Sequence, residues 1–182
     1  MCSIVLKVLF LGGLISGTVL LCVAAGTSYW RQYNNQNHFG LLRVCENVNS
    51  TNFICHTIKD NIPKWRKAVI ACIFLALCVS AFAACWWILA CIGCCCQSFL
   101  TPPLPALAVL AFLLELAAVI TYACTYQYEG AFKPGDTGKY GYSFWCAVAS
   151  VAAFGVTALI GCVVVGVAGP SGHKDRTAYR QI

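Results

Sequence analysis

The chain has 182 residues, of which 60% are hydrophobic and 10% charged, against about 25% charged in ordinary soluble domains. One soluble core of this size cannot hide that much apolar surface, so lipid is the expected solvent for much of the chain. The net charge of +6 comes from basic residues scattered over connecting segments and a tail, with no run of them interleaved with aromatics, which argues against a nucleic-acid partner.

The predicted elements follow from the charge-free intervals, because a charge at mid-bilayer is costly and a span needs about 20 apolar residues. Lys7 and Arg31 enclose 23 uncharged residues, which predicts a first helix over 5–29. A cleaved signal peptide ending at Val23-Ala24-Ala25 is the competing reading. The length of the apolar stretch, its single basic flank and the Gly13/Gly17 helix-packing pair favour a retained helix. Residues 31–67 form the first large loop, with Cys45, Cys55 and the N-glycosylation sequon Asn49-Ser50-Thr51. Phe39 to Cys45 is rich in strand-favouring residues and Asn47 to Thr51 in turn residues, which predicts a small antiparallel sheet. Trp30, with Tyr29 and Tyr33, stands where aromatics anchor a headgroup region.

Between Lys67 and Glu115 lie 47 uncharged residues, interrupted by Pro102, Pro103 and Pro105. Prolines break helices, so this run predicts two helices, 68–93 and 104–126, joined by a tight hairpin. Cys91, Cys94, Cys95 and Cys96 lie at the end of the second helix, where juxtamembrane thiols are candidates for S-palmitoylation. Plain burial is the competing reading, and a zinc site lacks a second cysteine pair or a histidine nearby. Other thiols, among them Cys72, Cys78, Cys85 and Cys162, read as packing residues within spans. Glu115 is the one acid inside a predicted span. An intramembrane ionisable group is a functional candidate by default, but no second acid, His or Lys lines up at its depth. A protonated carboxyl hydrogen-bonded within the bundle is therefore preferred to a transport role. A second loop, 127–141, leads to a fourth helix over 142–168, whose Ala149, Ala153, Gly155, Gly161 and Gly166, with Gly169 beyond it, would permit close backbone approach inside the bundle or to a second copy. The tail, 169–182, is short and basic, and its Ile182 is a weak candidate for a PDZ-type groove.

Two orientation rules disagree. Cysteines and a sequon suit the oxidising side of a membrane, which puts 31–67 outside and both termini in the cytoplasm. The excess of Lys and Arg in that same loop votes the other way. The first rule is preferred, because a compact loop that folds as a unit can be translocated despite its charge.

Gly26-Thr-Ser-Tyr-Trp30, then Gly40-Leu41-Leu42-Arg-Val-Cys45, then Cys55 resembles the Trp…Gly-Leu-Trp-x-x-Cys…Cys signature of the claudin superfamily. That superfamily includes the tight-junction claudins and the peripheral myelin, epithelial membrane and lens-fibre membrane proteins. The spacing of 15 residues from Trp30 to Cys45 is similar to the branch with the short first loop. Lys64-Trp-Arg-Lys67 before the second helix and Gly141-Tyr-Ser-Phe144 before the fourth also fit. Leu42 departs from the pattern, standing where the family has its second Trp. The resemblance implies a Cys45–Cys55 disulfide, worth on the order of 2–3 kcal/mol for a loop of that size.

The expected fold class is thus an all-α membrane protein, a four-transmembrane-helix bundle carrying a small extracellular antiparallel β-sheet. The resemblance implies a protein of cell–cell contacts or membrane organisation in the plasma membrane, acting through its loops and by self-association in cis and in trans. An auxiliary subunit of an ion channel or receptor is the alternative, and a paracellular pore a third. Exposed apolar and Arg side chains of the loop, among them Trp30, Arg31, Phe39, Leu41, Leu42 and Arg43, are the expected contact residues, although for Trp30 a seat for the sheet on the helices is the preferred reading. His38 and His56 in the first loop and His173 in the tail are far apart in sequence, and neither a phosphate loop nor a carboxylate pair is present. No enzyme and no cofactor are expected.

Overall fold

The computed structural model describes residues 2–33, 37–49, 52–57, 62–92, 103–128 and 139–168. Four long helices carry most of them: α1 (Cys2–Gly26), α2 (Lys64–Ile92), α3 (Pro103–Tyr128) and α4 (Tyr142–Ala168). All four are long and apolar enough to cross a membrane, which suggests a multi-pass membrane protein. Val8, Leu75, Leu113 and Val156 are more than half exposed on the outside of the bundle, and helices apolar on every side are what a lipid environment favours.

The first helix starts at Cys2 rather than 5, α3 runs slightly past both of its expected ends, and two other helix ends differ for identifiable reasons. α1 stops at Gly26, not at 29, because Thr27 turns both its N–H and its hydroxyl onto the Val23 carbonyl, at 3.1 and 2.6 Å. That caps the helix and frees 28–30 to lead into the sheet. α2 begins at Lys64 rather than 68, directly after Pro63, whose carbonyl accepts from the N–H groups of Arg66 and Lys67. Pro pre-sets the helical φ and lacks an N–H to waste at this end, so the basic cluster 64–67 belongs to the first helical turn and not to the loop. α3 starts on Pro103 for the same reason.

In the bundle α1 packs on α4, α2 on α3, and α3 on α4. Leu14, Leu21, Ile73, Ala111, Ala118 and Phe154 are buried between them. Gly13 and Gly17 serve the α1–α4 contact: a Cβ on Gly13 would overlap the Thr157 hydroxyl, and one on Gly17 would lie 3.0 Å from the Phe154 ring. Gly155 accommodates Phe112, and Gly161 accommodates Phe10 and Pro105. These small residues therefore build the bundle itself, whereas Ala149 lies exposed on its outer face.

At the α2 N-terminal end sits one antiparallel sheet of five strands, in the order β4-β3-β2-β1-β5: β1 (Arg31–Tyr33), β2 (Asn37–Phe39), β3 (Arg43–Asn49), β4 (Asn52–Thr57) and β5 (Lys139–Tyr140). The predicted strand 39–45 is split, since Phe39 ends β2 and the chain turns at Gly40–Leu42 before β3. β5 comes from the segment before α4 and pairs with β1, Tyr140 opposite Arg31. It thereby joins the two ends of the chain's first and last helices.

Candidate functional site

The junction between sheet and bundle is built around Trp30. Its ring is fully buried and stands edge-on to Tyr122 of α3 at 4.9 Å and to Phe144 of α4 at 6.2 Å. Its Nε1–H donates to the Ala24 carbonyl at 2.6 Å, so the indole brings no unsatisfied donor into the core. Trp30 is thus a seat for the sheet and not a headgroup anchor. The exposed aromatics at this level include Tyr29, Tyr140, Tyr142 and Trp145, whose amphipathic rings suit an interfacial belt.

Two further ties fix the sheet. Arg66 of α2 reaches into the β2–β3 turn, where Nε donates to the Leu41 carbonyl at 3.2 Å and Nη2 to the Gly40 carbonyl. The Gly40 N–H in turn donates to the Arg43 carbonyl at 2.8 Å. A Cβ on Gly40 would lie 2.5 Å from the Ser28 Cα, so the turn can nest against the end of α1 only without a side chain. The second tie is a seam between α1 and α4. The Gly141 N–H donates to the Trp30 carbonyl at 3.0 Å and the Ser143 N–H to that of Tyr29 at 3.2 Å, while the hydroxyls of Thr27 and Ser143 meet at 2.6 Å. A Cβ at Gly141 would overlap the Tyr29 carbonyl oxygen.

The expected contact residues divide accordingly. Trp30, Arg31 and Leu41 are buried, at 0%, 7% and 2% exposure, and so cannot meet a partner; Leu42 at 38% and the exposed Arg43 can. On β4, Ile54 to Thr57 are all exposed.

Cys45 and Cys55 form a disulfide between directly opposed residues of β3 and β4, with Cα atoms 4.0 Å apart. The register continues across the sheet, His38 opposite Cys45 and Gln32 opposite His38. Lys139 lies opposite Gln32. Opposed residues of an antiparallel pair point to the same face, so Lys139, Gln32, His38, Cys45 and Cys55 make one transverse row. His38 is buried and its ring packs on Tyr29 at 4.2 Å. Burial holds its imidazole below the ordinary value. Asn49 ends β3 at the hairpin tip, opposite Asn52; Ser50 and Thr51 of its sequon lie outside the described residues.

Inside the bundle, Glu115 is fully buried and links three helices. Ser150 Oγ of α4 lies 3.0 Å from Glu115 Oε2 and 2.9 Å from the Gly17 carbonyl of α1. A serine hydroxyl has one proton to donate. Both contacts hold together when a neutral carboxyl donates to Ser150 and Ser150 donates to Gly17. This is a structural node, and among the described residues no other ionisable side chain shares it.

Cys91 falls in the last turn of α2, while Cys94, Cys95, Cys96 and Ile182 lie outside the described residues. Cys72 is half-buried, but Cys78, Cys85 and Cys162 are exposed on the outer surface of the bundle. They stand on the outer side of the bundle and do not pack inside it. No group of three or more His, Cys, Asp or Glu side chains suited to a metal ion occurs among the described residues. Sequence reasoning missed three contributors. Arg66 was visible as part of a basic cluster, but its targets are backbone carbonyls that no residue pattern marks. Gly141 was visible as a glycine before a helix. His38 becomes notable only through the β2–β3 register.

The chain matches no protein-family model, and no curated protein is similar enough to stand as a relative.

Proposed function

We propose that the chain is a non-enzymatic, four-span protein of the plasma membrane that works in cell–cell contact or membrane organisation, through a sheet held outside the cell and through lateral self-association. One observation carries this reading. The small sheet is fixed to an apolar four-helix bundle at three separate places, by Trp30, by Arg66 and by the Gly141 seam, so it presents its free surface as a rigid body. Preorganised surfaces bind without the entropy cost of ordering a loop.

The motif resemblance to the claudin superfamily supports it. Trp30, Gly40, Leu41, Cys45 and Cys55 each have a structural task in seating or stapling the sheet. Leu42, in place of the superfamily's second Trp, is exposed and is the natural contact residue. N-glycosylation at Asn49, acylation of at least one of Cys91, Cys94, Cys95 and Cys96, and cytoplasmic termini belong to the same proposal.

The test is expression in cells that lack cell–cell contacts, with the distribution followed where two expressing cells touch. Enrichment there, lost on Leu42→Asp at unchanged surface level, supports adhesion. Leu41→Asp is uninformative, because it places a charge in the core. Uniform distribution together with stoichiometric co-purification of a channel or receptor in mild detergent would instead establish an auxiliary subunit.

A further inference from the structure

Ser143, Ser150 and Thr157 recur at every seventh residue of α4, and each meets α1 or its end. Ser143 joins its hydroxyl to that of Thr27, Ser150 lies on the Gly17 carbonyl, and Thr157 lies against Gly13. Thr157 gives its hydroxyl proton to the Ala153 carbonyl of its own helix. Ser150 differs from both, because it also meets a carboxyl, Glu115 Oε2 at 3.0 Å. Its single proton can go to Gly17 or to Glu115, but not to both. The second carboxyl oxygen, Oε1, is buried and has no hydrogen-bond partner among the described residues. We propose that Glu115 is a proton-operated latch, which ties α1 to α4 through Ser150 while it holds its proton and releases Gly17 when it loses it.

In the neutral state the Oε2 hydroxyl donates to Ser150 Oγ, Ser150 donates to the Gly17 carbonyl, and Oε1 is the carbonyl oxygen of the acid. When the proton leaves to water or to a buffer base, Oε2 has nothing to donate. A hydrogen bond to a carboxylate is roughly twice as strong as one between neutral groups, so the Ser150 proton turns to Glu115. Gly17 keeps the partner within its own helix, and the bond between α4 and α1 is lost. Oε1 then carries charge in a dry site without a donor, which is costly until water enters. Both changes loosen the α1–α4 contact at this level. The packed helices hold no cation to replace the missing donor. Val8–Gly26 of α1 and Tyr142–Val163 of α4 contain no Asp, Glu, Lys or Arg, Pro103–Thr125 of α3 has only Glu115, and on α2 Lys64, Arg66 and Lys67 stand at the sheet end. The other titratable groups turned inward are the partly buried thiols of Cys146, one turn from Ser150 on α4, and of Cys72 on α2, with the Tyr122 hydroxyl beneath the sheet. On α1 the Cys22 thiol is exposed.

The experiment uses the full chain in phospholipid nanodiscs, titrated from about pH 5 to about pH 9, with two readouts. Infrared difference spectra follow the carbonyl stretch of a protonated carboxyl, assigned to Glu115 by its absence in Glu115→Gln. Amide hydrogen exchange, read by mass spectrometry, follows α1 around Gly17, with every sample compared to Glu115→Gln at the same pH so that the intrinsic rate cancels. The Gln amide is a permanent donor to Ser150 and stands for the closed latch. Wild type should match Glu115→Gln while the band is present. Once the band is lost, its α1 amides should exchange on the order of 3- to 15-fold faster. Ser150→Ala lacks the tie in either state and should exchange fast at both ends of the titration. A band missing at the acid end, a band that persists to the alkaline end, or a band lost without any change in α1 exchange would each overturn the proposal. Should Glu115→Gln not fold, the band is assigned by its shift in Ser150→Ala, and wild type must then exchange more slowly than that variant at the acid end only.

Discussion

Trp30 ties backbone, helix and sheet through a single side chain. Its indole N–H caps the Ala24 carbonyl, one of those left without an intrahelical partner at the end of α1, and its ring fills the space under the sheet between Tyr122 and Phe144. Trp30→Phe keeps most of the ring and loses the hydrogen bond, so a cost of about 1 kcal/mol is expected. Trp30→Ala empties the site and should cost about 3–5 kcal/mol. Unfolding in detergent, followed by circular dichroism, measures both, and equal effects of the two variants would contradict the division between bond and packing. The nearby Arg66 acts in the same economy of atoms, one guanidinium satisfying two turn carbonyls, and Lys in its place has no fork to do so.

At the scale of elements, two neighbouring glycines of α1 make a controlled comparison. Nothing lies within 4 Å of a Cβ built on Gly12, whereas one on Gly13 runs into Thr157 of α4. Gly12→Ala should therefore be neutral or stabilising by up to about 1 kcal/mol, through helix propensity alone. Gly13→Ala should destabilise by about 1–3 kcal/mol, because the helix pair must separate. Thermal melts of the two variants check this, and the same sign in both would refute the α1–α4 interface. How much of this was legible depended on what reports the feature. The four helices were visible because lipid leaves long uncharged intervals, and the 142–168 boundary was met by Tyr142–Ala168. The starts of α2 and the end of α1 were misplaced, because a charge in the first helical turn and a threonine cap act locally and leave hydropathy unchanged. Cys45 and Cys55 were legible as a pair by resemblance, but their neighbour His38 was not, since strand register is a property of the assembled sheet. Trp30 fits both an interfacial anchor and a buried seat in sequence, where the seat is the preferred reading, and only the packing against Tyr122 and Phe144 separates the two.

For the molecule as a whole, the Glu115–Ser150–Gly17 node joins α3, α4 and α1 at one level of the bundle. Interhelical hydrogen bonds in membrane proteins are worth about 0.6 kcal/mol on average and up to about 1.7. Ser150→Ala removes both contacts at once and should cost about 1–2 kcal/mol, while Glu115→Gln, which keeps a donor and an acceptor, should cost less. Resistance to thermal unfolding in detergent measures the pair, and a larger loss for Glu115→Gln than for Ser150→Ala would show that the carboxyl does more than join helices. The seam between α1 and α4 has a consequence for how the protein is made. What comes last in the chain completes what comes first: Tyr140 pairs with Arg31, Phe144 covers Trp30, and Ser150 and Thr157 close on Gly17 and Gly13. During synthesis α1 leaves the ribosome with this glycine face open and must wait through two intervening helices for its mate. Contacts so distant in sequence are slow to form, and these can close only once the final helix is present. A chain truncated before residue 139 is expected to leave Trp30 without Phe144 and the Gly13/Gly17 face of α1 without its mate.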